Sequence, residues 1–143
     1  QAKSDHVGAV VIQSQADMWD LDGKTAAHIA NYEPFISDIA SKTLAFGKPV
    51  LLFNGDSHVF RSDNPLVQGA PCVAEPASGA AATPCTDDDW ANHPFYNVPN
   101  FHRIVVHGST VPLEYLRVSV NTNRPPRPGA SSFGPFSWER VQP

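Results

Sequence analysis

An α/β domain is what this sequence predicts, and three observations carry the prediction. A valine-rich apolar run occupies residues 7–12, a helical-period segment follows Pro34, and a second apolar run, PVLLF, ends at Phe53. Strand, helix and strand joined by a very short last connection is the pattern of a crossover unit with parallel strands. Two later runs, FHRIVVHG and PLEYLRVSV, read as strands with a turn at Gly108, Ser109 and Thr110, so antiparallel β structure follows the crossover unit.

The first run is rich in β-branched valine, which suits a strand buried on both faces. It breaks into Gln13, Ser14, Gln15 and Asp17, and a turn is expected at Asp22-Gly23. Pro34 suits the first turn of a helix, because its fixed φ and missing N–H cost nothing there. Phe35, Ile36, Ile39, Ala40, Thr43, Leu44 and Phe46 recur at helical spacing, and Gly47 is a stop. After Phe53 comes Asn54-Gly55-Asp56-Ser57-His58, and VFRSDNPL extends as another short strand before Pro65. Residues 68–100 form a loop insertion without periodicity, and residues 121–143 form a Pro-rich tail in which FSWERV adds an edge strand. No repeat, heptad or second domain is visible, so residues 1–143 read as a single domain.

The 143 residues suffice to bury a core, and the net charge of −4 gives no reason to expect nucleic acid or an anionic membrane as partner. No apolar run approaches the ~20 residues that cross a bilayer. The chain opens on Gln1 with no signal-like segment, which reads as a processed, trimmed or fragmentary chain. Cys72 and Cys85 flank a Gly/Pro/Ala-rich stretch. As a bridge they would stabilise by roughly 3 kcal/mol and place the protein in an oxidising compartment, secreted or periplasmic. The other reading is two thiols in a cytosolic loop. Their spacing is not that of a zinc site.

Both predicted parallel strands end in polar clusters, and ligands of open α/β sheets sit outside the carboxyl ends of the strands. Asp56-x-His58 offers one oxygen and one nitrogen donor, and Gly55 lets the chain turn sharply between strand and donors. The alternative is that Asp56 caps a turn and His58 is an ordinary strand residue.

The stretches GKPVLLFNGDSHVFRSDNPL and NFHRIVVHGSTVPLEYLRVSV, with AVVIQSQADMWD upstream, resemble the C-terminal half of a bacterial calcineurin-like metallophosphoesterase. The resemblance covers most of the chain apart from the Cys loop and the tail. It implies part of a four-layer αββα sandwich and hydrolysis of a phosphate ester by a metal-activated hydroxide. It also implies a centre of two divalent ions drawn from Mn, Fe, Zn or Mg. The family's Gly-His-x-His is Gly-Asp-Ser-His here, so His58 stands at one metal ligand and Asp56 replaces a histidine at the other. Gln13, or alternatively Gln15, stands where the upstream strand normally ends in a metal-binding histidine. Two oxygen donors in place of imidazoles imply a harder cation, or a weak or empty second site. The family's remaining ligands come from an N-terminal half whose motifs are not found in this chain. The resemblance therefore implies a missing half or a partner chain, and an alternative function as a degenerate, non-catalytic binding or structural module.

Other residues have a plainer reading. His107 and His102 read as a turn residue and an exposed strand residue, and His28 as solvated. Asp87, Asp88 and Asp89 form an acidic loop, Asn92-His93 belongs to the same loop, and Ser57 and Ser109 lack a nucleophile motif. Trp19, Trp90, Phe95 and Tyr96 read as loop anchors or cleft walls, and Arg124 and Arg127 as solvated charges.

Overall fold

The computed structural model of the chain describes residues 1–2, 4–20, 27, 30–75, 81–85, 96–108, 113–123 and 131–142. Strand β1 (Val10–Gln13) is followed by helix α1 (Glu33–Phe46) and then by β2 (Val50–Asn54). Pro34 lies in the first turn, Gly47 closes the helix in the left-handed conformation (φ 71°), and its N–H donates to the Thr43 carbonyl. β1 and β2 pair in parallel, Val10 opposite Val50 and Gln13 opposite Phe53, as the crossover pattern predicts.

Next come β3 (Arg61–Asp63), β4 (Val73–Ala74), β5 (Thr83–Pro84) and β6 (Phe101–Val105). Together with β1 and β2 they form a mixed sheet in the order β1-β2-β6-β3-β4-β5. β6 is parallel to β2 and antiparallel to β3. The Cys insertion, expected to lack strands, contributes β4 and β5, a minimal antiparallel pair next to the Cys72–Cys85 disulfide.

β7 (Tyr115–Val120), β8 (Ser132–Phe133) and β9 (Phe136–Val141) form a second, antiparallel sheet in the order β7-β9-β8. FSWERV is therefore the central strand of this sheet, not an edge. The segments FHRIVVHG and PLEYLRVSV do not pair with each other but enter different sheets. The architecture is α/β with more strand than helix. No helix among the described residues is long and apolar enough to cross a membrane.

Strand alternation sorts the core onto the two faces of the first sheet. Val50, Leu52 and Phe101 face the helix and pack with Ile36, Ile39 and Ala40, joined by Met18 and Trp19 from the loop after β1. Leu51 and Ile104 face the other way, against Phe136 and Trp138 of β9 and Phe60. Truncating Leu51 or Leu52, both fully buried, would cost about 2–5 kcal/mol. β1 departs from the expectation of burial on both faces: it is an edge strand, and Val11 is 50% exposed.

Candidate functional site

β1, β2 and β6 run in parallel, so Gln13, Asn54 and Val105 end at one edge of the sheet. Beyond β2, the Gly55 N–H donates to the Gln15 carbonyl, and Gln15 Nε2 donates to Asp56 Oδ1 at 3.2 Å. The structure thus brings Gln15 to Asp56, whereas Gln13, the last residue of β1, lines a neighbouring cleft. Asp56 (φ 77°) and His58 (φ 61°) are both left-handed, a conformation non-glycine residues hold at a cost of about 1–3 kcal/mol each. His58 is exposed, and its ring lies directly on Gly108. A Cβ added at Gly108 would come within 2.6 Å of His58 Cδ2.

The turn is supported from inside the protein. Ser57 Oγ donates to Asp17 Oδ2 at 2.9 Å, and Asp17 Oδ1 accepts from the Trp19 N–H and, at 2.6 Å, from Arg103 Nη1. Arg103 in turn holds Asp63 through two bonds of 2.8 and 2.6 Å, Arg61 Nε donates to the same carboxylate, and the Arg103 guanidinium lies over Trp19. Burial alone would raise the Asp63 carboxyl. The Arg103 and Arg61 charges outweigh it, and its pKa falls below the usual carboxylate value. The Arg103 guanidinium is buried, yet Asp63 and Asp17 hold it firmly protonated. Removing one partner of such a buried network strands an uncompensated charge.

A second ionic cluster lies on the other face. Glu75, with its side chain closed to solvent, accepts from the Phe60 N–H and from Arg140, and His107 Nε2 lies 3.5 Å from its Oε2. Arg140 also donates to both oxygens of Glu114, at 2.9 and 3.1 Å. His102, expected to be exposed, is half-buried. Its ring stacks on Phe133, packs against Trp138 and shares a 2.9 Å hydrogen bond with Ser62. Burial pushes this imidazole down to about 4, so it is neutral at pH 7. The expectation failed because the second sheet, invisible from β6 alone, covers that face.

The supporting residues went unrecognised in the sequence. Arg103 carried a readable signal: a charged residue inside the apolar strand FHRIVV requires a buried counter-ion. Nothing local identifies Asp17 and Asp63 as its counter-ions, or Glu75 as a counter-ion of Arg140. The Asp22-Gly23 turn, His28, Asp87, Asp88, Asp89, Trp90, Asn92, His93, Phe95, Ser109, Thr110, Arg124 and Arg127 lie outside the described residues. Trp19 is a buried anchor, and Tyr96 hydrogen-bonds to Glu33.

Whether these groups could hold a metal is decided by donor count. Among the described residues, no three or more His, Cys, Asp or Glu gather as a metal-binding group. Asp56 and His58 are donors of suitable type within one turn, so they fit part of a ligand set and not a closed one. Compared with known proteins, the chain matches no family, no curated protein and no solved structure.

Proposed function

We propose that the chain is the C-terminal portion of a metal-dependent phosphoesterase, with His58 and Asp56 as its contribution to the metal ligands. One observation carries the reading. Two donor residues on either side of Ser57, Asp56 and His58, are held in a strained left-handed turn at the carboxyl edge of three parallel strands, on a buried ionic support. Backbone strain of this kind persists where the surroundings over-determine it, and it clusters at functional sites. Gln13 and Gln15 are the candidate amide-oxygen donors from the first strand. The metals would supply a nucleophile at neutral pH and polarise the phosphoryl oxygens. The residues of this chain orient: Gly108 seats the His58 ring, Gln15 ties Asp56, and Asp17 fixes the turn through Ser57.

On this reading the helix, mixed sheet and second sheet are three layers of a four-layer αββα sandwich. The missing half would pack at the open edge of β1 and against Val120, which is exposed although it shares a strand face with the inward Leu116. A disulfide-bonded chain of this kind belongs in a secreted or periplasmic setting. A second reading, a non-catalytic module that keeps the sheet, is favoured by one feature: an oxygen of Asp56 already accepts a hydrogen bond from Gln15.

The test is elemental analysis of the purified chain after equilibration with Mn, Fe, Zn or Mg, together with hydrolysis of a model phosphodiester by the chain joined to its missing half. Metal retained by the wild type and lost in His58→Ala supports the enzyme reading. Equal metal content in the two proteins removes His58 as a ligand, and absence of hydrolysis with metal bound favours the module.

A further inference from the structure

Beside the Gly55–His58 turn, and on the side of the second sheet, lies a cleft of about 430 Å³ between the strand ends of the first sheet and β7. Gln13, Gly55 and His107 line it from the first sheet, Phe60 from the loop before β3, and Glu114 and Leu116 from the β7 side. Its volume is in the range of small-molecule sites, and its wall is shared about evenly between polar groups, among them Asn54 and Tyr115, and apolar carbon.

Charge decides which part of a phosphate ester can enter. Among the described residues, no Lys or Arg lines the cleft. The Arg140 guanidinium beside it lies over the Phe60 ring and is shared between the carboxylates of Glu75 and Glu114, both closed to solvent. Two carboxylates around one guanidinium leave no surplus positive charge, so a phosphoryl group would enter against a negative wall without the cationic clamp it requires. An uncharged organic group meets no such penalty. It would cover the exposed Val118 and the partly exposed Leu116 of the β7 wall, removing apolar surface from water.

We propose that this cleft binds the alcohol portion of the substrate, and that the substrate is an ester of phosphate with an uncharged organic alcohol rather than an inorganic polyphosphate. The proposal rests on the phosphoesterase reading. The phosphoryl group stays at the rim by Gly55 and Asp56, and the organic group points under β7. In the hydrolysis, water forms a new P–O bond and gives up a proton. The P–O bond to the alcohol breaks, and the departing alkoxide takes a proton and leaves as the neutral alcohol.

The experiment titrates the metal-free chain with 4-methylphenol and, separately, with inorganic phosphate, following backbone amide shifts by NMR. 4-Methylphenol is expected to move the amides of Gln13, Phe60 and Leu116 and to saturate at millimolar concentration, with phosphate leaving them unmoved. Val118→Glu, an exposed position at the cleft wall, should weaken that binding at least tenfold with the fold intact, and Leu116→Glu should do the same more severely. No saturable shifts at these amides, shifts confined elsewhere, or equal binding of phosphate in the cleft would overturn the proposal. Metal retention in wild type and His58→Ala is measured on the same preparations. Loss of metal in the variant with no 4-methylphenol binding defeats the cleft alone. Binding of 4-methylphenol with metal content indifferent to His58 defeats the phosphoesterase reading, and the ester assignment with it.

Discussion

Arg103 Nη1 lies 2.6 Å from Asp17 Oδ1, with both side chains closed to solvent, and this contact joins the middle of β6 to the loop after β1. The same carboxylate accepts from Ser57, so the ion pair links the core to the turn that carries Asp56 and His58.

Replacing Arg103 with Met keeps much of the volume but takes the cation from the buried Asp17 carboxylate and leaves Asp63 with Arg61 alone. The expected loss is about 3–5 kcal/mol in urea denaturation, because a stranded buried charge costs more than a missing contact. A loss below about 1 kcal/mol would show that water reaches the network.

Stability should fall in two stages with acid. The folded pKa of His102, held down to about 4 by burial, lies below its unfolded value near 6.5. The unfolded chain therefore takes up the proton first, so stability is full above about pH 6.5 and declines toward pH 4. The loss is on the order of 3 kcal/mol at about 1.4 kcal/mol per unit. The depressed Asp63 carboxyl acts lower on the scale. Its stabilisation is present above its unfolded pKa, near 3.9, and disappears as pH falls through the folded value. His102→Gln should flatten the upper stage alone, and a dependence unchanged in that variant would assign the window to another group.

Gly108→Ala tests the seat of His58. The added methyl would lie 2.6, 2.7 and 2.9 Å from three His58 atoms, Cδ2, Cγ and Cβ, so rotating the ring does not relieve the clash and the turn must shift. We expect the variant to fold, to lose about 1–3 kcal/mol as overpacked sites do, and to retain less metal than the wild type. Circular dichroism and elemental analysis on one sample separate those effects. Wild-type metal retention in this variant would mean the ring position does not matter for binding.

Reducing the Cys72–Cys85 bond, which closes a loop with a sequence separation of 13, should cost about 3 kcal/mol. The cost appears as a lower urea midpoint in reductant, matched by Cys72→Ser with Cys85→Ser. Identical midpoints with and without reductant would assign the loop's order to β4, β5 and the Glu75 cluster instead.

Local pattern was enough for the crossover unit. Valine and leucine runs, Pro34 and Gly47 act within a few residues, so β1, α1 and β2 and their parallel pairing could be read directly. So could the position of Asp56 and His58 after β2, and the disulfide was the favoured pairing of two cysteines flanking a loop. What pairs across long separations was not readable. FHRIVVHG and PLEYLRVSV looked alike as strands, yet they lie in different sheets, because each is placed by partners 16 to 51 residues away. His102 looked exposed until β8 and β9 covered it. The choice between Gln13 and Gln15 rests on how the chain bends after β1, and the Gly55 N–H bond to the Gln15 carbonyl sets that bend. The sequence by itself determined which residues could act as donors and which edge they occupy. Only the tertiary structure decided that a buried Arg103–Asp17 pair supports them and that a cleft opens beside them, since buried charge and cavity shape arise from side chains that are distant in the chain.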